Sequence, residues 1–96
     1  MGACDFQTTA RGKTAKEAFA TARSQAQYDH GHAGYSGTIA EKHEFVMIEV
    51  PKDQEPIKFV RSLMQDGDPR IDDKWGPAGC VKLDGDTWLF FGYASS

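Results

Sequence analysis

The residues best equipped for chemistry lie in one short stretch, residues 30–42, which reads HGHAGYSGTIAEK. Glycines recur there at a spacing of three, and glycine lets a backbone turn sharply or approach a ligand closely. The side chains between them titrate near neutral pH, stack, or donate hydrogen bonds. We therefore predict a ligand-binding segment in this stretch. Its candidate residues are His30, His32, Gly34, Tyr35, Ser36, Gly37 and Thr38.

Metal binding is one chemistry that this segment suggests. In an extended backbone, His30 and His32 point to the same face, so both imidazoles can reach one ion. Asp29, Glu41 and His43 lie close enough in sequence to complete a ligand shell. However, the chain has no second cluster of ligand-type residues, and these side chains also suit a helix end and a turn. We predict no metal and no other cofactor.

Phosphate binding is a second possibility. Backbone N–H groups around Gly34 and Gly37 can surround an anion, Ser36 and Thr38 add hydroxyl donors, and Tyr35 offers a stacking face. The segment matches neither the P-loop nor the dinucleotide fingerprint, and it follows a helix whereas those loops precede one. A tight connection into a strand explains the same residues.

Catalysis is the third chemistry. His30 or His32 can act as a general base, with Ser36 or Tyr35 as its partner. The sequence contains no nucleophile elbow and no HExxH motif. We therefore assign no catalytic residue and expect a non-enzymatic protein. A small hydrolase or metal-dependent enzyme that uses the two histidines is the alternative.

Two further features suggest contacts with other proteins. Trp75 lies in a loop-like stretch, Lys74-Trp75-Gly76-Pro77, where an exposed ring can anchor a partner. A ring folded down over the C-terminal hairpin is the alternative. Residues 91–94 are a candidate edge strand for a second chain, so a homodimer is possible.

The elements that would position these residues begin with a strand over residues 4–9. Thr14 and Glu17 then form a capping box, which starts a helix that Gly31 ends. Its narrow apolar stripe suggests close approach to a sheet, with Phe19 as the main anchor. The stripe consists of Ala15, Ala18, Phe19, Ala22 and Ala26.

The middle of the chain predicts a strand and a second helix. Residues 45–50 are mostly apolar and β-branched, which is typical of a central strand, and Pro51 ends it. Asp53 is the predicted cap of the second helix, Pro56 lies in its first turn, and Gly67 ends it. The buried stripe of this helix comprises Ile57, Phe59, Val60, Leu63 and Met64.

The last third predicts a surface loop over residues 66–79 and then a hairpin. Asp84-Gly85 between two strand-like runs favours a type I′ turn. Residues 88–91 are apolar on both faces, so we expect helices on one side of that strand and loops or a partner on the other. Together these elements predict one small α+β domain over residues 1–96, with two helices on a mostly antiparallel sheet that ends in a C-terminal β-hairpin.

Composition narrows the classes of partner. The chain has 96 residues, a net charge of −3 and a pI near 5.5, which gives no basic surface for nucleic acid. It has no apolar run of about 20 residues and no secretory signal pattern, so we expect no membrane contact and a cytoplasmic location. Cys4 and Cys80 can pair if the terminal strands pair, but in the cytoplasm we expect reduced thiols.

Several segments together resemble a family of small proteins encoded by bacteriophages and prophages. These are Ala3-Cys4-x-Phe6, Ala18-Phe19, the HGHAGYSGTIAEK run and residues 88–92, and the most specific part is residues 34–39. The resemblance implies a small accessory protein in the bacterial host cytoplasm and carries over no reaction. The function we predict is binding of a host protein or of a phosphorylated, nucleotide-like small molecule through the Gly/His/Tyr segment.

Overall fold

The computed structural model describes residues 3–30 and 37–95, and it confirms a small α+β fold with two helices and a mostly antiparallel sheet. No helix in these residues is long and apolar enough to cross a membrane. The elements are β1 (Ala3–Arg11), α1 (Ala15–His30), a 3-10 helix (Ile39–Glu41), β2 (Phe45–Met47), α2 (Pro56–Asp66), β3 (Ala78–Lys82) and β4 (Thr87–Ser95).

The four strands lie in the order β1-β4-β3-β2. Strand β4 pairs antiparallel with both β1 and β3, whereas β2 pairs parallel with β3. Parallel neighbours need a crossover connection, and α2 supplies it between β2 and β3. The prediction that residues 91–94 form an edge strand is therefore wrong, because β4 is internal and β1 occupies that edge.

The helices cover opposite faces of the sheet. Along β4, Trp88 and Phe90 point toward α1, while Leu89 and Phe91 point toward α2. The expectation of helices on one side only is wrong. The apolar character of both faces of β4 has a simple cause, since one helix packs against each face.

Helix α1 begins after Thr14, the predicted cap, but Glu17 reaches the N–H of Lys13 and not that of the cap. The Glu17 N–H donates to Thr14 Oγ1 at 3.2 Å, and the Glu17 carboxylate accepts from the Lys13 N–H at 3.1 Å. Ala18, Phe19 and Ala22 are buried. Small side chains on this stripe bring the helix close to the sheet, and the Phe19 ring lies 5.5 Å from that of Phe90.

Strand β2 differs from its prediction. It spans only Phe45–Met47 and lies at the edge of the sheet, not at its centre. Phe45 packs against Phe19 on the α1 face, with ring centroids 5.0 Å apart, and Val46 packs in the apolar cluster on the α2 face. Partial burial of Phe45 on one face and of Val46 on the other gave this edge strand the composition of a central one.

Helix α2 ends where predicted but begins later. Its cap is Glu55 and not Asp53, because Pro56 occupies the first helical position and the cap must precede it. The Glu55 carboxylate accepts from the N–H groups of Ile57 at 3.2 Å and Lys58 at 3.1 Å. Gly67 closes the helix in the left-handed region, with φ of 66°.

The β3–β4 hairpin forms, but its turn is not type I′. That turn needs positive φ at both central residues, and only Gly85 has it, at 56°. The Leu83 N–H donates to the Thr87 carbonyl at 2.9 Å, so Asp84–Asp86 form a three-residue connection. Asp86 belongs to the connection, which makes it one residue longer than the predicted two-residue turn.

The two cysteines are free, although the terminal strands do pair. Cys4 lies opposite Ala94 and is exposed, whereas Cys80 is buried in β3, on the far side of β4. A disulfide would have to cross the central strand.

Burial of Cys80 predicts a loss of stability in alkali. Burial raises the pKa of its thiol from 9.0 to about 12. The unfolded chain therefore ionises first, so the stabilisation is complete below pH 9.0 and is lost as the pH rises toward 12. By about pH 10.5 we expect a loss of roughly 2 kcal/mol. Urea unfolding at pH 9.0 and at about pH 10.5 should show that loss of stability in the wild type and not in Cys80→Ala. An equal loss of unfolding free energy in both proteins would contradict the prediction.

Candidate functional site

The predicted ligand-binding segment is described only at its ends. His32, Gly34, Tyr35 and Ser36 lie outside the described residues. His30 is the last residue of α1. The arrangement of His30 and His32 lies outside the described residues, so the metal hypothesis for this pair stays a hypothesis. Within residues 3–30 and 37–95, no group of three His, Cys, Asp or Glu residues could hold a metal ion.

Gly37 and Thr38 redirect the chain into the 3-10 helix. Gly37 is buried and has φ of 70°, a conformation that favours glycine. The Thr38 hydroxyl accepts from the Ala40 N–H at 3.2 Å and caps the helix. Both residues therefore have a structural role at this connection, whatever else they contact.

Thr38 also lines a groove of about 330 Å³ between β1 and α1. Among the described residues of this lining, the only charged side chain is the Asp29 carboxylate, which accepts from Gln25 Nε2 at 3.2 Å. A carboxylate repels a phosphate, so this groove suits a neutral or cationic ligand group better than an anion. The lining residues are Thr8, Thr9, Ala10, Thr21, Ala22, Gln25, Ala26, Asp29 and Thr38.

Lys42 follows the 3-10 helix and is the most deeply buried charged side chain of the described residues, at 1% exposure. Its Nζ donates to the carbonyl oxygens of Gly76 at 2.9 Å, Lys74 at 3.2 Å and Asp73 at 3.4 Å. An ammonium has three N–H bonds, and each finds an acceptor on one turn of a distant loop. Lys42 thereby joins the end of the segment at residues 30–42 to residues 73–76, which we call the Trp75 loop.

Two opposing effects act on the pKa of the Lys42 ammonium, and burial is the larger. Burial lowers the pKa of its ammonium below the usual value, and the nearby Asp73 carboxylate acts in the opposite direction. A buried cation is tolerated only where hydrogen bonds replace its hydration. The three carbonyls supply that replacement, so the loop must keep its conformation for the lysine to stay buried.

Two further contacts fix the approach to the Trp75 loop. Ile71, at 1% exposure, packs into the apolar cluster on the α2 face. Before it, Arg70 and Asp68 form an ion pair at 2.8 Å, and the hydrogen bonds from Arg70 hold the pKa of the Asp68 carboxyl at about 2. The predicted surface loop over residues 66–79 is therefore anchored to the rest of the fold at Ile71 and at Lys42, while the Asp68–Arg70 pair stabilises its first turn from within.

The Trp75 loop itself is a tight turn. The Asp73 side chain accepts from the Trp75 N–H at 2.9 Å, and the Asp73 carbonyl accepts from the Gly76 N–H at 2.9 Å. Trp75 is 65% exposed, so its ring is not a buried lid on the hairpin. Lys74 Nζ lies 5.4 Å from the ring centroid, within cation–π range. The turn thus holds a large, flat, amphipathic side chain outward.

Sequence reasoning identifies Trp75 but not the lysine that supports its loop. In the sequence, Lys42 is only the last residue of the HGHAGYSGTIAEK run. Its acceptors are backbone carbonyls more than 30 residues away, and carbonyls are present at every position. A single sequence carries no signal of such a contact.

Comparison with known proteins adds no assignment, because no family model, curated protein or solved structure matches this chain.

Proposed function

We propose that this chain is a small binding protein that contacts a partner protein through the Trp75 loop, next to the segment that Lys42 ends. The observation that carries the proposal is an indole ring 65% exposed on a turn held by a buried lysine. Because the sequence resembles phage and prophage proteins, we further propose that the chain is an accessory protein and that its partner is a host protein in the bacterial cytoplasm.

The physics of protein interfaces supports a tryptophan in this role. A few residues carry most of the binding free energy at an interface, and tryptophan is enriched among them. A side chain on a preformed turn also loses less conformational entropy on binding. The three hydrogen bonds from Lys42 supply that preformed geometry.

A protein partner fits the described surface better than a phosphorylated small molecule. Among the residues that the structure describes, the groove beside Thr38 has a carboxylate and no basic side chain. An exposed tryptophan next to Lys74 instead offers an apolar face and a cation, which suits a partner with an apolar pocket rimmed by acidic groups.

Removing the Trp75 ring should abolish capture of the partner. With wild-type protein as bait in a bacterial lysate, we expect a small set of proteins that Trp75→Ala fails to retain. Loss of a tryptophan anchor costs about 2 kcal/mol or more, which is roughly 30-fold in affinity. Quantitative mass spectrometry of both eluates measures the ratio, and titration of the purified partner confirms it.

Met47→Ala is the matched control, because Met47 is also a large apolar side chain, is 50% exposed, and lies on β2, outside the Trp75 loop. It should retain the same proteins as the wild type. Equal capture by Trp75→Ala and the wild type would refute the proposal. A thermal shift with a phosphorylated metabolite, without any captured protein, would favour the small-molecule alternative.

A further inference from the structure

The two edges of the sheet are built differently. Strand β2 has three residues and is followed by Pro51 a short distance on, so it offers little backbone for pairing. Strand β1 has nine residues, pairs with β4 along its whole length, and contains neither proline nor lysine. Edge strands are usually shortened or interrupted because free edges recruit other strands. The β1 edge lacks these protections.

The backbone groups that β1 presents outward can be identified. The Gly12 N–H donates to the Asp86 carbonyl at 2.9 Å, in the same register that pairs Arg11 with Thr87. Hydrogen-bonding direction alternates along an antiparallel strand. Even-numbered residues of β1 therefore bond to β4. The N–H and C=O groups of Asp5, Gln7, Thr9 and Arg11 point away from it.

The charges of β1 are arranged symmetrically. Asp5 and Arg11 are its only charged residues, both are exposed, and Thr8 lies midway between them. Six residue steps along the strand separate them by about 20 Å, so they cannot neutralise each other within one chain. An antiparallel second copy of β1 centred on Thr8 would place Asp5 opposite Arg11 of the other copy, twice.

We propose that the β1 edge binds a second copy of this chain, antiparallel about a two-fold axis at Thr8, to form one continuous eight-stranded sheet from the two four-stranded sheets. Residues whose numbers add to sixteen face one another in this register. Odd residues meet odd residues, so the outward N–H and C=O groups pair directly. Asp5 meets Arg11 and Gln7 meets Thr9 in hydrogen-bonded pairs.

The surface of α1 next to β1 permits this approach. The two-fold axis keeps both copies of α1 on the same face of the sheet, so the helices come near each other. Thr21 and Gln25 line the groove along β1 and also a shallow depression on the outside of α1. Ala20 and Ser24 complete that depression, and Tyr28 lies at its end. Short side chains leave room for a second helix.

Charge reversal tests the register as well as the dimer. Asp5→Arg and Arg11→Asp each place like charges opposite one another twice. Each variant alone should weaken dimerisation by about tenfold or more, because two favourable cross-strand ion pairs become two like-charge pairs. An equimolar mixture of the two variants should restore wild-type affinity, because the arginine introduced in one chain then faces the aspartate introduced in the other. Analytical ultracentrifugation at low salt over a wide concentration range measures all four samples.

Proline tests the backbone pairing. The Thr9 N–H points to solvent in the monomer, so Thr9→Pro removes no bond from the β1–β4 ladder. In the dimer it removes two inter-chain hydrogen bonds, one from each copy of Thr9, and should abolish association. Thr9→Val keeps the N–H and should dimerise like the wild type. Circular dichroism verifies that both variants fold.

Three results would overturn the proposal. The first is a wild-type chain that stays monomeric at every concentration. Binding of β1 to a strand of another protein would not rescue the proposal in that case. The second is a dimer that the charge variants leave unchanged or that their mixture does not restore. The third is a folded Thr9→Pro variant that still dimerises.

Discussion

Lys42→Met should lower the free energy of unfolding by about 3 kcal/mol and release the Trp75 loop. Methionine keeps most of the aliphatic stem but donates no hydrogen bond. The carbonyls of Asp73, Lys74 and Gly76 then lose their shared donor, and they regain a partner only by turning toward water. We therefore expect the loss of stability and the opening of the loop to occur together.

Lys82→Met is the matched control for this prediction. Lys82 is exposed, and its Nζ lies 5.5 Å from the centroid of the Trp88 ring, so its removal costs one surface cation–π contact. We expect less than about 1 kcal/mol from it. Urea unfolding followed by circular dichroism measures both variants. A Lys42→Met protein as stable as the control would show that the buried lysine does not hold the loop.

Gly79→Ala should be similarly destabilising, by about 3 kcal/mol, for a steric reason. A Cβ on Gly79 would lie 2.6 Å from Phe91 Cζ and 2.8 Å from Ile71 Cγ2. Phe91 is the cross-strand neighbour of Gly79, and its ring covers the space that a side chain would need. Both contacting side chains are buried, so neither can move aside freely.

A double-mutant cycle separates this clash from a general effect of alanine. In a Phe91→Leu background the ring is absent, so the added cost of Gly79→Ala should fall by at least about 1 kcal/mol. Gly85→Ala provides a comparison, because the space around Gly85 is open and only its φ of 56° opposes a side chain. A cost for Gly79→Ala no larger than that for Gly85→Ala would contradict the steric explanation.

The helix signals were predictable because they are local. The cap at Thr14 and the stop at Gly67 depend on bonds between residues a few positions apart. The strand positions were less predictable. Residues 45–50 read as a central strand because a helix on each face of the sheet favours apolar side chains, whether the strand is central or at an edge. Which strands are neighbours depends on contacts far apart in sequence.

The candidate site also combines features with a local sequence signal and features that depend on contacts far apart in sequence. Trp75 stood out because an aromatic residue in a polar loop needs an explanation. The burial of Ile71, which anchors the loop, was not predicted, because residues 66–79 were expected to lie on the surface. Lys42 gave none, since its burial depends on carbonyls that only the folded chain brings to it. His32, Gly34, Tyr35 and Ser36 stay predictions, and so does the proposed binding role of the segment.

We infer that Lys42 holds Trp75 in a fixed, exposed position. The most direct test is the NMR order parameter of the Trp75 backbone amide, compared between the wild type and Lys42→Met. We predict a value of about 0.85 in the wild type, equal to that of the β4 amides, and below about 0.6 in the variant. A Trp75 amide already below about 0.6 in the wild type would contradict the claim.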